Sequence, residues 1–366
     1  MNGFTNQRIH AADSSTHNVL VTGGAGFIAS HVVNYLVMTY PEYNIIVFDK
    51  LDYVSSLHSL ASVSTMPNYS FIRGDITSFD LVSYVVAERG VDTILHFAAS
   101  THVDNSFGDS LEFTHSNVMG THVLLEAARE FGVKKFIHIS TDEVYGEVRA
   151  DMPNREEETI LAPSNPYSAT KAAAESLVKA YQKSFKLPAI ITRSNNVYGP
   201  SQYPEKIIPK FICSLLCGKK LYLHGDGSNS RHYIYISDVV DAIDVILHRG
   251  QAGATYNLGA GPESELTNKN LAMMLLRKFN QQDHVIEHVA DRAFNDQRYA
   301  IDSTRLGALG WNVKVGFDTG IDETIRWYQA NWKKWWGPDI ENALQPHSSK
   351  AGRRPMATAV SIGGLD

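Results

Sequence analysis

The sequence is short of cysteine, of long apolar runs and of positive charge. Its two cysteines, Cys213 and Cys217, are four positions apart among apolar residues, so we expect two reduced thiols on one helix face rather than a disulfide or a metal pair. No run of about 18 apolar residues could span a membrane. The polar segment 1–17 also lacks the apolar core of a secretion signal. These absences predict a cytoplasmic protein with no metal site.

The net charge and the length of the chain further limit the class of protein that the sequence can encode. The net charge is −6, with 43% hydrophobic and 20% charged residues, which is typical of globular proteins. This balance gives no sign of a nucleic-acid partner or an anionic membrane surface, although a local basic pocket for a phosphorylated small molecule is compatible with it. The 366 residues show no internal repeat and suffice for two lobes or one large α/β unit.

Short apolar strands alternate with helices through the first half of the chain. Strands are predicted at 18–22, 44–48, 69–73, 93–97, 135–139 and 189–192, and helices at 27–40, 79–88, 113–131 and 167–185. Such alternation produces right-handed βαβ units and a parallel sheet covered on both faces. The segment 195–227 is dense in Asn, Pro, Gly and Tyr and is expected to bind a ligand. A helix at 238–248 and a last strand at 255–258 follow it.

The loop after the first strand carries the clearest binding motif. The strand leads into Gly23-Gly24-Ala25-Gly26-Phe27-Ile28-Ala29, which fits G-x-x-G-x-x-G/A and opens a helix. In that context glycines let the backbone approach a pyrophosphate, which the helix N-terminus then binds. The alternative is a tight structural turn. We therefore predict an α/β protein with a Rossmann-type doubly wound parallel sheet.

Acids at the ends of the next two strands refine the cofactor prediction. Asp49 ends the second strand, at the point where a carboxylate binds the ribose 2′-hydroxyl and repels a 2′-phosphate. This favours NAD over NADP, although the neighbouring Lys50 weakens the preference. Asp75 ends the third strand and is placed to meet the adenine ring, but a turn carboxylate explains it nearly as well.

A hydroxyl, a phenol and an amine occur in the pattern of a hydride-transfer site. Tyr167 and Lys171 are four apart near a helix start, so they share a face, and Thr141 follows the fifth strand. A tyrosine hydroxyl has an ordinary pKa of about 10. A nearby ammonium and a positive nicotinamide both favour the phenolate, so we expect Tyr167 to act as a base at neutral pH. Lys171 is also expected to hold the nicotinamide ribose.

Two adjacent acids, Asp142 and Glu143, follow Thr141 directly. In a continuing strand neighbouring side chains point to opposite faces, whereas at a strand end the chain can curl so that both acids face the cleft. The alternative is a pair of solvated loop acids. A plain dehydrogenase does not need two further proton-transfer groups, so acids in the site would indicate elimination as well as oxidation.

The run Thr141-Asp142-Glu143-Val144-Tyr145-Gly146, with Tyr167 and Lys171, resembles the extended short-chain dehydrogenase/reductase family, and within it the nucleotide-sugar 4,6-dehydratases. The resemblance covers about 18–347. Other segments are similar to the UDP-glucose 4,6-dehydratase branch found in plant-type rhamnose synthases: HFAA at 96–99, THVDNSF at 101–107, NVYGP at 196–200, PEK at 204–206, HGDGSN at 224–229 and FNDQRY at 294–299. Bacterial dTDP-glucose enzymes tend to have Arg in place of Asn105 and His in place of Asn295, which favours the UDP branch. Ser194 departs from that branch, which usually has Gly, and we assign no consequence to it.

The resemblance implies a role for each matching residue. Thr141, Tyr167 and Lys171 would support oxidation at sugar C4 by NAD. Glu143 would remove the C5 proton and Asp142 would protonate the departing C6 hydroxyl. The expected cofactor site consists of Gly23, Gly26, Phe27, Ile28, Asp49, Lys50, Asp75, Ile76, Ala98, Tyr167 and Lys171. The expected nucleotide-sugar site consists of His102, Asn196, Lys206, Arg231 and Arg292.

The resemblance also implies an organisation. The NAD-binding Rossmann domain is expected at 18–195 and 233–258, and a smaller α/β C-terminal substrate-binding lobe at 196–232 and 259–347, with tails at 1–17 and 348–366. Relatives form homodimers through a four-helix bundle, to which 113–131 and the Tyr167 helix would contribute here. A separate epimerase and reductase would complete a rhamnose.

The expected reaction converts UDP-glucose to UDP-4-keto-6-deoxy-glucose. The nearest alternative is the dTDP-glucose reaction. A UDP-sugar 4-epimerase is less favoured because Asp142 and Glu143 would have no role in it. A cofactor-binding regulatory protein without catalysis is disfavoured because Tyr167, Lys171 and Glu143 are all present.

Overall fold

The computed structural model describes residue 10 and residues 16–291, 294–336 and 340–345. Its strands are β1 (Asn18–Thr22), β2 (Asn44–Asp49), β3 (Tyr69–Arg73), β4 (Thr93–His96), β5 (Lys135–Thr141), β6 (Ala189–Ser194), β7 (Asn196–Tyr198), β8 (Leu221–His224), β9 (Ser230–Tyr235), β10 (Thr255–Leu258), β11 (Glu265–Thr267) and β12 (Ile286–Val289). Its α-helices are α1 (Phe27–Thr39), α2 (Phe79–Glu88), α3 (Val103–Gly108), α4 (Ser110–Phe113), α5 (Gly120–Glu130), α6 (Pro166–Phe185), α7 (Ile207–Leu216), α8 (Ile236–Arg249), α9 (Asn268–Lys278), α10 (Thr304–Gly307), α11 (Phe317–Trp336) and α12 (Ile340–Leu344). None of these helices is both long and apolar enough to cross a bilayer.

Seven strands form one parallel sheet in the order β10-β6-β5-β4-β1-β2-β3. The chain winds outward from β1 in one direction and then from β4 in the other. Such a reversal leaves a crevice at the carboxyl ends of the two strands. The predicted doubly wound parallel sheet is confirmed.

Both faces of this sheet are apolar, which explains why the strands read as continuous hydrophobic runs. Val21 and Leu95 belong to a buried core with residues of α1 and α8. Leu20 and Ile94, their neighbours in sequence, belong to a second core with residues of α2 and α5. The alternation of side chains along each strand therefore separates the two helical layers.

A second group of elements covers the crevice. The strands β7, β9 and β11 form one small sheet and β8 pairs with β12, around a core with residues from α7, α9 and α11. The boundary expected at 232/233 lies inside β9, and Leu306 and Trp311 pack in the first core. We keep the division into two lobes as a proposal.

One prediction about local structure is corrected. The helix expected at 113–131 is interrupted by a π-helical segment, Thr114–Met119. The carbonyl of Asn117 in this segment accepts a hydrogen bond from the Thr121 hydroxyl at 2.6 Å. Helices widen where side chains bond to the main-chain groups that hold successive turns together. The segment 195–227 contains β7, α7 and β8. In the expected N-terminal tail, His10 and Thr16 are buried. The expected C-terminal tail lies outside the described residues.

Candidate active site

A cavity of about 1180 Å³ opens at the carboxyl ends of the parallel strands, where ligands bind in sheets of this type. It is lined by the glycine-rich loop, by residues at or just beyond the ends of β4 and β5, and by residues of the second group of elements. Typical sites for one small molecule are up to about 1000 Å³. The cavity therefore has room for a dinucleotide and a second ligand.

The glycine-rich loop fits a dinucleotide. Gly23 has a φ of +68°, in the left-handed region, and a Cβ on it would lie 2.7 Å from the Ala98 Cα. A side chain is thus excluded where the loop passes the end of β4. Asp49 is buried, and its carboxylate accepts hydrogen bonds from the backbone N–H of Ala25 at 3.0 Å and of Leu51 at 2.7 Å. It therefore fixes the loop as well as facing the cavity.

Replacing Gly23 with alanine is expected to weaken NAD binding by about tenfold or more. A non-glycine residue in the left-handed region costs about 1–2 kcal/mol, and the clash with Ala98 would displace the loop from the pyrophosphate. Gly132→Ala is a matched control, because Gly132 has a φ of +67° and nothing within 4 Å of its added Cβ. Calorimetric titration with NAD measures the effect. An equal loss of affinity in the control would contradict the steric argument.

The other expected cofactor residues also line the cavity: Gly26, Phe27, Ile28, Lys50, Asp75, Ile76 and Ala98. Lys50 lies among three carboxylates, with its Nζ 3.4 Å from Asp52, 3.6 Å from Glu112 and 4.0 Å from Asp75. Its positive charge is therefore largely balanced by its neighbours, which weakens the case for Lys50 as a phosphate ligand.

Thr141, Tyr167 and Lys171 come together in the same cavity. Thr141 is the last residue of β5, and the first two turns of α6 carry Tyr167 and Lys171. Burial and the charge of Glu143 raise the pKa of Tyr167, while a hydrogen bond with Thr141 lowers it. Burial lowers the pKa of Lys171 to about 8, and its Nζ donates to the carbonyl of Ile139 at 2.6 Å. The lowered pKa expected for Tyr167 from Lys171 is not found.

The two acids have different surroundings. Glu143 lines the cavity and Asp142 does not, so the expectation that both acids face the cleft is corrected for Asp142, which is buried beside the cavity wall. Asp142 is 2% exposed and is not a solvated loop acid; its Oδ2 accepts from Asn195 Nδ2 at 2.7 Å. Burial raises the pKa of Asp142 to about 7. Burial also raises the pKa of Glu143, with the charge of Arg231 acting in the opposite direction. Asp142 can therefore keep a proton close to neutral pH, as a general acid must.

Four of the five expected nucleotide-sugar residues line the cavity: His102, Asn196, Lys206 and Arg231. Arg292 lies outside the described residues. The Arg231 guanidinium lies over the Tyr299 ring, 4.6 Å from its centroid, and donates to the carbonyl of Asp296 at 3.0 Å. Lys206 Nζ donates to the carbonyl of Thr101 at 2.8 Å. Two cationic side chains from this set therefore line the cavity, and cations of this kind bind a diphosphate.

Two asparagines in contact with the acids were not predicted. Asn195 binds Asp142, and Asn165 donates from its Nδ2 to Glu143 Oε2 at 3.2 Å. Asn165 precedes Pro166 and is followed three residues later by Ser168, a pattern that predicts a helix cap. This pattern does not by itself predict a contact with Glu143, which lies 22 residues earlier in the chain.

Comparisons with known proteins agree with this geometry. The family model described as GDP-mannose 4,6 dehydratase matches residues 20–324. The chain is 50% identical over 339 residues to the Arabidopsis thaliana trifunctional UDP-glucose 4,6-dehydratase/UDP-4-keto-6-deoxy-D-glucose 3,5-epimerase/UDP-4-keto-L-rhamnose-reductase RHM1, covering 92% of this chain and 50% of that protein. It thus spans about half the length of that relative.

Two further relatives match along nearly their whole length. The dTDP-D-glucose 4,6-dehydratase of Mus musculus is 46% identical over 339 residues, covering 91% of this chain and 94% of that protein. The crystal structure of DesIV, a dTDP-glucose 4,6-dehydratase from Streptomyces venezuelae with NAD and TYD bound, has a TM-score of 0.84 and 41% identity, covering 88% of this chain and 99% of that one.

Proposed function

Because this chain belongs to the GDP-mannose 4,6-dehydratase family, we propose that it converts UDP-glucose to UDP-4-keto-6-deoxy-glucose. It is a nucleotide-sugar 4,6-dehydratase, a hydro-lyase, and its cofactor is NAD. The observation that carries the proposed reaction is the position of Glu143 in the same cavity as Tyr167. A base for the C5 proton then lies beside the base for the C4 hydroxyl.

The residues divide the reaction into two proton transfers. Tyr167 would take the proton of the C4 hydroxyl, with Thr141 hydrogen-bonded to the same oxygen. Hydride transfer, away from C4 and later to C6, is the chemistry that bound NAD would supply, and the positive charge of its ring would favour the Tyr167 phenolate. Glu143 would remove the C5 proton that the C4 ketone acidifies, and it would give a proton back to C5 when the hydride is returned to C6. Asp142 would protonate the C6 hydroxyl, which leaves as water.

The preference for uridine is supported by two asparagines at positions where the bacterial dTDP-glucose enzymes tend to differ. Asn295 lines the cavity, and its Oδ1 accepts from Arg231 Nη2 at 3.4 Å. Asn105 also lines it and donates to the Tyr53 hydroxyl at 2.8 Å. The greater identity to the Arabidopsis UDP-glucose enzymes is consistent with this preference.

The second candidate substrate is dTDP-glucose, which the full-length match to the mouse enzyme favours. Thymine and uracil differ by one methyl group, and a methylene in a pocket is worth about 1–3 kcal/mol. Some activity on both substrates is therefore expected.

The purified protein tests the proposal with UDP-glucose, dTDP-glucose and GDP-mannose, each followed separately by chromatography and mass spectrometry. We expect loss of one water to be fastest from UDP-glucose. Fastest loss from dTDP-glucose would keep the mechanism and overturn the preference for uridine. An unchanged mass with a new C4 stereoisomer would mean an epimerase, and the roles of Asp142 and Glu143 would be withdrawn.

We extend the proposal to assembly and pathway. Met119 and Phe185, on the two helical stretches expected to pair with a second subunit, are both 50% exposed, which supports a homodimer. A light-scattering mass of one chain would exclude it.

Because the 4-keto product still needs epimerisation and reduction to become a rhamnose, we propose separate enzymes for those steps. Conversion of the product to UDP-rhamnose by this chain alone would contradict that.

A further inference from the structure

Asn165 connects the start of α6, the helix that carries Tyr167, to the carboxylate of Glu143. It is the N-cap of α6, with φ −135° and ψ 164°, and Pro166 occupies the first helical position. Residues before proline are restricted to extended conformations, and proline is favoured at the first helical position. Asn165 is 7% exposed. Its backbone is therefore held rigidly, one residue before Pro166 and two before Tyr167.

The hydrogen bonds of Asn165 decide how its amide is oriented. The Oδ1 accepts from the backbone N–H of Ser168 at 2.9 Å. A backbone N–H can only donate, so the amide oxygen must face it. The Nδ2 must then face Glu143, to whose Oε2 it donates at 3.2 Å. Among the described residues, Asn165 is the one whose hydrogen bond to the Glu143 carboxylate is found. The helix cap therefore fixes a donor against that carboxylate.

The residue before Asn165 is connected through Asp296 to Arg231. The Ser164 hydroxyl donates to Asp296 Oδ2 at 2.5 Å, and the Asp296 carbonyl accepts from Arg231 Nη1. A chain of contacts thus runs from Arg231, the cation expected to meet the diphosphate, to Asn165, which contacts Glu143. The contact of Ser164 with Asp296 and the helix cap at Ser168 therefore both oppose movement of Asn165 away from Glu143.

We propose that Asn165 is a positioning residue that holds the Glu143 carboxylate, ionised and aimed into the cavity, for removal of the C5 proton. This rests on the proposed dehydration, with Glu143 as its base. The amide is placed to act on the elimination step rather than on C4 oxidation, because its contact is with Glu143 and not with Tyr167.

The balance of charge around Glu143 shows why a donor is needed there. Burial raises the pKa of Glu143, and the hydrogen bond from Asn165 lowers it. The charged or titratable groups that interact with Glu143 come from several elements: Arg231, Lys206, Asp296, Asp142, Tyr167 and Tyr299. Without the amide, Glu143 would stay protonated to higher pH.

Two substitutions separate the cap from the donor. Asn165→Ser keeps a good helix cap but has no amide to offer Glu143. Asn165→Asp keeps the shape and the capping oxygen but places a second acceptor against the carboxylate. Wild type and variants are compared as holoenzymes on the nucleotide sugar that the wild type dehydrates fastest. The rate of water loss is measured from acidic to alkaline pH, with the midpoint of thermal unfolding and the rate of nicotinamide reduction in a single turnover.

We expect the acidic limb of the rate profile to move upward by about one pH unit in Asn165→Ser, since a hydrogen bond to a charged group changes an equilibrium by about tenfold or more. The shift should be larger in Asn165→Asp. Thermal unfolding and nicotinamide reduction should stay close to wild type. Wild-type pH profiles in both variants would overturn the proposal, as would a uniform loss of rate that follows a loss of stability. A wild-type protein that dehydrates no nucleotide sugar would instead overturn the proposed function, and this inference with it.

Discussion

Glu143→Gln should stop the loss of water from the nucleotide sugar while slow reduction of bound NAD continues, and Tyr167→Phe should stop both. Glutamine cannot accept the C5 proton, and a positioned general base contributes about 10²–10⁴-fold in rate. Tyr167 acts earlier, at the C4 hydroxyl, so its loss removes the ketone on which elimination depends. Mass spectrometry measures water loss, and near-ultraviolet absorbance measures nicotinamide reduction in a single turnover.

Glu147→Gln provides the control for this pair. Glu147 is exposed and is not among the residues that line the cavity, and its Oε2 accepts a hydrogen bond from the backbone N–H of Gln297 at 2.9 Å. Glutamine retains an acceptor for that bond, so wild-type rates are expected. Dehydration at the wild-type rate in Glu143→Gln would show that the assignment of acid and base is wrong.

The strands were predictable because each is a local pattern. β1, β3 and β10 were predicted with the bounds that the structure has, since each is a short segment that contains aromatic or β-branched residues. The π-helical segment Thr114–Met119 was not predicted, because a residue within it also makes contacts that no local pattern reveals. The Asn117 amide binds the backbone of Ser100, which is 17 residues away.

The same distinction applies to the site. The glycine-rich loop and the Tyr167–Lys171 pair are local motifs, and the sequence placed both in one cavity. Asn195 and Asn165 were missed because their partners are remote: Asp142 is 53 residues from Asn195, and Glu143 is 22 from Asn165. An amide has no chemistry of its own that marks it as part of a site. Only the fold shows which carboxylate it meets.

Arg193→Met is expected to lower the free energy of unfolding by about 3–5 kcal/mol. Arg193 in β6 and Glu175 in α6 form an ion pair with both side chains 0% exposed, and Arg193 Nη2 is 2.5 Å from Glu175 Oε2. Arg193 Nη1 also donates to the Tyr145 hydroxyl at 2.6 Å, in the turn that contains Asp142 and Glu143. Removal of the cation leaves a buried carboxylate without its counter-charge. Denaturant and thermal unfolding measure the loss.

Two comparisons distinguish the stability lost with the ion pair from the stability lost through the cavity that the substitution leaves. The double variant Arg193→Met/Glu175→Leu should recover part of the stability, because a buried pair replaced by apolar side chains is often neutral. Arg149→Met removes an exposed pair with Asp151, with side chains 73% and 63% exposed, and should cost less than about 1 kcal/mol. A double variant no more stable than Arg193→Met would mean that packing, not the unpaired charge, dominates. Since the same arginine links α6 to the turn of the acids, dehydration should fall with stability in Arg193→Met and not in Arg149→Met.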